Sequence, residues 1–419
     1  MTARTSAPRF GTLADWLICA PLIVTTFLAK LAIPYISQDP GLALILVLLT
    51  VVIGLVTQRM QIDTCQFVAY LAMIAALGSF QLLGAREFSL PSFALMVAIY
   101  FAYALRVERD GDSGRRALHF ATEVGSVIAV CGIVQFAAQF VLPYNFVFPI
   151  ETMVPPELLI DGYNTQIPLY FGAKIYKSNG FFCLEPSFFS QLLAISIVVE
   201  LVTRNRLSRL ALMVCGIAVS YSGTGLIVLM FCIPTLIIAR RRWDLIALGL
   251  LCLGGAMLLS DKLSLDVFLQ RAGEFSERRS SGFERFVGGF YLFDQYLWSE
   301  PLNALTGHGA GTFLRFARRA NEFAAEMAFF KIVFEFGIIG AILNFGFLFY
   351  AVLRSSGPPV VKLAVVVAYF MNGIYTPTSH GFALTLLIWP TTRPTTNEGA
   401  IRGRSRPVRE QGVATGSRV

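Results

Sequence analysis

Three ionisable residues fall inside one strongly apolar stretch near the end of the chain: Glu326, Lys331 and Glu335. Charged side chains are costly in apolar surroundings, so each needs a partner or a task. Lys331 and Glu335 are four residues apart and can pair on one helix face. Glu326 stands at the mouth of the stretch, where water and a substrate can both reach it, with Glu322 one turn earlier. Among the acids, Glu326 leads as a general base. A second grouping lies in Tyr176 to Leu193, "YKSNGFFCLEPSFFSQLL". Glu185, Pro186 and Ser187 read as a helix start, since proline suits the first turn and an acid suits its positive end. Lys177 close to that start makes a place that attracts an anion.

Ser220, Ser222, Gly223, Thr224 and Gly225 interrupt another apolar run. They read as a tight hairpin between short helices or as hydroxyls lining a polar cavity, and the two are compatible. Ser281 to Phe313 carries Glu284 and Arg285, then a glycine-rich turn, "EPLNALTGHGAG", around His308. Backbone free of side chains there allows a ligand close approach. Phe283, Phe286, Phe290 and Leu297 recur at helical spacing and predict an aromatic-faced helix lying along an interface. Phe313 to Ala325 predicts a second amphipathic helix, whose Arg315, Arg318 and Arg319 rest on anionic headgroups or hold a phosphorylated lipid.

Other chemistries find no support. There is no GxxxxGK[ST] phosphate loop and no dinucleotide fingerprint. Asp110-Gly111-Asp112 spells a DxD but has turn composition and arginine neighbours. The seven cysteines form no CxxC pair, and His119, His308 and His380 are scattered, so no metal site or cofactor is expected.

The elements that must position these residues follow from composition. Of 419 residues 55% are apolar and 14% charged, with a mean hydropathy of +0.65. So few charges cannot cover a water-soluble surface of this size, which excludes a soluble globular, disordered or disulfide-stapled chain. Apolar runs long enough for spans fall near 14–34, 41–57, 62–83, 90–106, 118–142, 185–202, 208–222, 224–239, 243–260, 326–353, 360–376 and 378–390. The expected fold is all-α and polytopic, with about twelve transmembrane helices. Most arginines fall in alternate connections, among them Arg59, Arg106, Arg115, Arg204, Arg209, Arg240 and Arg354, while the others hold almost only Arg86. That bias places both termini in the cytoplasm. The +8 net charge therefore sets orientation and implies no nucleic-acid partner. Residues 1–390 form one transmembrane domain with large outer loops at about 143–184 and 261–325. The polar, basic segment 391–419 predicts a disordered cytoplasmic tail.

Taken in order, "SNGFFCLEPSFFSQ", "SYSGTGL", "ERF…EPLNALTGHGAGTF" and "FEFGIIGA" resemble the O-antigen ligase and O-antigen/exopolysaccharide polymerase family of bacterial inner membranes, over roughly Tyr176 to Gly340. The resemblance implies a metal-independent glycosyltransferase, with a large periplasmic loop containing interfacial helices. Its donor is a glycan on undecaprenyl diphosphate, its setting is the lipid bilayer, and flippase and chain-length-control proteins are its partners. Lys177 and Arg285 are then expected to grip the diphosphate, with Arg271, Arg278 and Arg279 in reserve, and Glu185, Ser222 and His308 to face substrate. The family often has an arginine after the serine of the short-turn motif, where this chain has Gly223 after Ser222. Its histidine commonly stands eleven positions before the glycine of the E-x-G motif. Counting back from Gly337 gives Glu326, so an acid is expected as the base. "LEPSFFSQ" and the absent histidine favour a polymerase of exopolysaccharide or O-antigen repeat units. A ligase acting on a lipid A core is the near alternative, and a transporter or flippase the distant one.

Overall fold

A computed structural model describes residues 12–33, 41–84, 87–108, 112–170, 172–246, 249 and 280–390. Most of the apolar run 243–260, the part of the second expected loop before Ser280, Arg271, Arg278 and Arg279, and the tail after Pro390 lie outside the described residues.

The chain is mostly helical. Among the described residues, three helices are long and apolar enough to cross a membrane: Thr64–Leu82, Ser113–Ala138 and Ala328–Arg354. Shorter apolar helices occupy the other described runs. In chain order, α1 is Leu13–Phe27, α2 Leu42–Val56, α3 Thr64–Gly84, α4 Leu90–Phe101 and α5 Ser113–Ala138. Next come α6 Pro186–Val202, α7 Leu207–Ser220 and α8 Gly223–Arg240. Near the C-terminus are α9 Ala328–Arg354, α10 Pro359–Phe370 and α11 Pro377–Ala383, the last running on into a π turn over Leu384–Ile388. Val56, Leu82, Ile238 and Leu353 point outward with most of their surface uncovered, an exterior that hydrocarbon favours and water does not.

Helix α6 is the axis of the bundle. Its side chains from Pro186 to Leu201 are all buried, as a helix apolar on every side requires. It packs against α5, α7, α8 and α10. Some of its polar atoms are met by neighbours: Ser196 Oγ donates to Ala121 O at 3.3 Å and Glu200 Oε1 accepts from Arg206 N at 2.9 Å. Strands β1, Met60–Ile62, and β2, Leu105–Val107, pair antiparallel at the C-terminal end of α4, with Met60 opposite Val107.

Helix α9 is broken at Gly337, whose φ of 68° and ψ of −174° are not helical. The break frees main-chain acceptors that a continuous helix would use. Phe334 O accepts from His308 N and Glu335 O from Gly309 N, each at 3.0 Å. A β-carbon on Gly337 would lie 2.3 Å from Leu305 C, so both the conformation and the close approach require glycine.

The two loop regions fold onto the bundle. Within 143–184, short helices cover Tyr144–Val147 and Pro149–Met153. Lys30 beyond α1 pins this region, donating to Glu151 Oε1 at 2.6 Å and to Phe181 O. The continuous aromatic-faced helix expected from Phe283 is instead three pieces: Ser281–Phe286, Gly288–Leu292 and a π turn over Phe293–Leu297. Phe283 and Leu297 point inward while Phe290 is exposed, so the four apolar residues do not share one face. Likewise the amphipathic helix expected over Phe313 to Ala325 stops at Ala320. Asn321 turns the backbone into the left-handed region, and the next residues run non-helically to α9.

Candidate functional site

A cavity of about 1650 Å³ opens at one end of the bundle. Ordinary small-molecule pockets span about 300–1,000 Å³, so this one has room for a ligand larger than drug size. Both loop regions wall it, and helices α4, α6, α8 and α9 begin on it through Pro91, Pro186, Gly223 and Met327. At the starts of α6 and α9 no capping side chain accepts a hydrogen bond from the first turn, while at α8 Ser190 Oγ accepts from Gly225 N at 3.0 Å. These are positive helix ends, and such ends favour anions.

The cavity brings Lys177, Glu185, Ser222, Arg285 and Glu326 together from four separate parts of the chain. Arg285 Nη2 is hydrogen-bonded to Glu185 Oε2 and to Ser187 Oγ, the latter at 3.1 Å. Ser187 Oγ also donates to Glu185 Oε2 at 2.9 Å, and Asn164 N donates to Oε1 at 3.3 Å. Glu185 stands at the N-cap of α6, as its sequence position predicts, yet it makes no cap hydrogen bond and spends its carboxylate on Arg285. Part of the Arg285 guanidinium is thus committed within the wall.

Glu326 precedes α9, and its Oε1 accepts from Lys331 Nζ at 2.5 Å. Lys331 also reaches Glu335 Oε1 at 3.1 Å, the pairing expected at four-residue spacing, and its ammonium lies 5.2 Å from the centre of the Tyr375 ring. Glu335 is fully buried and accepts from Phe313 N at 3.2 Å. Glu326, one-third exposed, keeps one edge towards the cavity.

Ser222 is the N-cap of α8, and its hydroxyl lies 3.0 Å from Thr224 Oγ1. Thr224 donates in turn to Ser187 O at 2.9 Å and lies 3.0 Å from Ser190 Oγ. The interrupted apolar run is therefore both a helix turn and a hydroxyl-lined stretch of the cavity wall.

His308 lies apart from these residues and does not line the cavity. Its ring stacks on Phe334 at 4.8 Å and packs on Phe316 at 4.7 Å, with Nε2 3.2 Å from Tyr296 O. The glycines around it serve the backbone joint with α9: Gly307, at φ 80°, seats against Glu335 O. The close backbone approach that these glycines allow is made to the broken helix, and the expected substrate-facing histidine is packed among aromatic rings instead of on the cavity.

Three cavity residues were not singled out for such a role in the sequence. Tyr163 sits between the two ion-paired groups. Burial pushes its phenol up to about 12, Thr376 offers it a hydrogen bond that opposes this, and the charges of Glu185 and Glu326 add to the rise. Arg318, read only as one of three arginines on a surface helix, is exposed at the cavity wall and has no ion pair among the described residues; its neighbours Arg315 and Arg319 both pair with Glu87. Glu284, which the sequence offers only as the neighbour of Arg285, also lines the wall.

Of the DxD, Asp112 alone is described; it precedes α5 and pairs with Arg115 at 3.0 Å, away from the cavity lining. Among the described residues, no three His, Cys, Asp or Glu side chains cluster as a metal site would. Comparisons with protein families, curated proteins and solved structures find no match to this chain.

Proposed function

We propose that this protein is a membrane-embedded glycosyltransferase that joins polysaccharide repeat units carried on undecaprenyl diphosphate. The observation that carries the reading is the cavity. Lys177, Arg285, Arg318 and Lys331 converge there with the positive starts of three helices and with a carboxylate able to take a proton. That mixture suits a large, polar substrate with an anionic head. The topology is about twelve spans with both termini cytoplasmic, the alternation of arginines supporting it, so that the cavity opens on the periplasmic side of the inner membrane.

The chemistry asks little of the protein beyond placement. A lipid diphosphate is a good leaving group once its charge is stabilised, which is the task of the cations and helix ends. Holding the acceptor hydroxyl against the anomeric carbon supplies the remaining advantage, together with a carboxylate that takes its proton. An outer site has no ATP, so an activated lipid is a fitting energy source. A ligase would use the same cavity with a different acceptor.

One observation favours a transporter: a helix broken at Gly337 is a feature of proteins that alternate access. The two readings separate in one experiment. Purified protein in detergent, given lipid-diphosphate-linked oligosaccharide isolated from the native membrane, is expected to lengthen the glycan and release the lipid diphosphate. No chain growth, with substrate counterflow in liposomes, would overturn the enzyme in favour of the transporter.

A further inference from the structure

We propose that Glu284 is the carboxylate that receives the acceptor's proton in this cavity, in place of Glu326; the proposal rests on the glycan-transfer reading. Four carboxylates line the wall: Asp161, Glu185, Glu284 and Glu326. Three are unsuited to abstract a proton. Glu185 is engaged by Arg285, Ser187 and Asn164 N. Glu326 is bound to Lys331, so an incoming hydroxyl must compete with an ammonium for its oxygen. Asp161 is exposed to water on a loop. Glu284 is half-buried and, among the described residues, has neither an ion pair nor a side-chain hydrogen bond.

Its placement is also fixed. Glu284 N donates to Ser280 O at 3.1 Å, and Ser280 Oγ caps the same short helix by accepting from Phe283 N at 3.1 Å. Glu284 O accepts from Ala325 N at 2.8 Å. Gly288 on the next helical piece lies so close to Phe323 that a β-carbon would stand 2.1 Å from its carbonyl oxygen. The segment that carries Glu284 is thus clamped to the segment that leads into α9. Consecutive helical residues point about 100° apart, so Glu284 and Arg285 present a base and a cation to neighbouring parts of one cavity. Burial, reinforced by the charge of Glu185 and opposed by Arg285, pushes the Glu284 carboxyl up, towards what a base working near neutrality needs.

The step balances. The acceptor oxygen forms a bond to the anomeric carbon as the bond from that carbon to the diphosphate oxygen breaks. The lipid diphosphate leaves with the electron pair, the hydroxyl proton passes to the Glu284 carboxylate, and water later removes it.

The test uses full-length protein and the native lipid-diphosphate oligosaccharide. Glu284→Gln is expected to lower turnover by about 100-fold or more, with binding of the donor unchanged. Glu326→Gln is expected to lose less than about tenfold, the loss of a group outside the proton transfer. Glu284→Ala is expected to recover turnover when formate is added, a response that a merely structural role would not give. Glu284→Gln turning over within threefold of wild type would overturn the proposal while leaving the transfer reading intact, as would an alanine variant that binds donor but ignores formate. Wild-type protein that transfers no glycan would overturn both.

Discussion

Lys331 is the only cation seen beside Glu326 and Glu335 among the described residues, so one ammonium balances two carboxylates, one at the cavity wall and one buried behind it. Removing it leaves uncompensated charge, including a fully buried carboxylate. Lys331→Met should therefore cost about 3–5 kcal/mol, seen as a fall in the thermal midpoint of the purified protein, and the double change Lys331→Met, Glu335→Met should recover part of it. Arg285 and Glu185 behave as a second unit. Arg285→Ala should cut glycan transfer severely, and Arg285→Lys should restore part of it, because the charge returns without the planar fork of the guanidinium, whose Nη2 meets both Glu185 and Ser187. Equal loss in both variants would mean that the fork, and not the charge, is what matters. Glu284 gives a prediction with a sign. The folded protein holds the Glu284 proton to higher pH than the unfolded chain, so stability falls as pH rises from the ordinary carboxylate value through the raised one. Glu284→Gln removes that cost. Its thermal midpoint should exceed that of wild type at neutral pH and converge with it below about pH 4.

At the scale of elements, the break in α9 holds the site together. Gly337 lets the helix release Phe334 O and Glu335 O to the turn at His308 and Gly309, and Gln81 joins the same joint, donating to Glu335 O at 3.2 Å and accepting from Ala310 N at 2.7 Å. Gly337→Ala should lower the yield of folded protein markedly, because both the backbone angle and the contact with Leu305 exclude a β-carbon. Size-exclusion profiles in detergent would measure it. How much of this could be read in the sequence depends on the range of the interaction. Apolar runs announced their helices, and the i,i+4 spacing announced Lys331 with Glu335, because both signals are local. The bond from Arg285 to Glu185 spans 100 residues and had no local trace. Gly337 inside an apolar helix reads like any small packing residue, and the glycines at His308 read like a ligand loop, since sequence does not say whose atoms the exposed backbone will meet. The aromatic periodicity from Phe283 was real but short, and it was overridden by the tight approach of Gly288 to Phe323.

The molecule as a whole is a helical bundle with an apolar exterior and a polar cavity at one end. The proposed orientation can be checked without substrate. In a background freed of native cysteines, Ser281→Cys in the cavity wall should react with a membrane-impermeant maleimide in intact cells. Ser208→Cys, exposed at the start of α7 beside Arg206 and Arg209, should react only after lysis. The reverse pattern would turn the cavity towards the cytoplasm, where a lipid-linked glycan already carried across the membrane could not reach it. If the cavity is where repeat units on undecaprenyl diphosphate are joined, the lipid-linked glycans of a strain that lacks the protein will show it. Single repeat units stranded on the lipid diphosphate are the predicted result. Finished chains stranded there would contradict the polymerase and indicate a ligase, and a glycan pattern identical to that of the parent strain would exclude any role of this protein in glycan transfer.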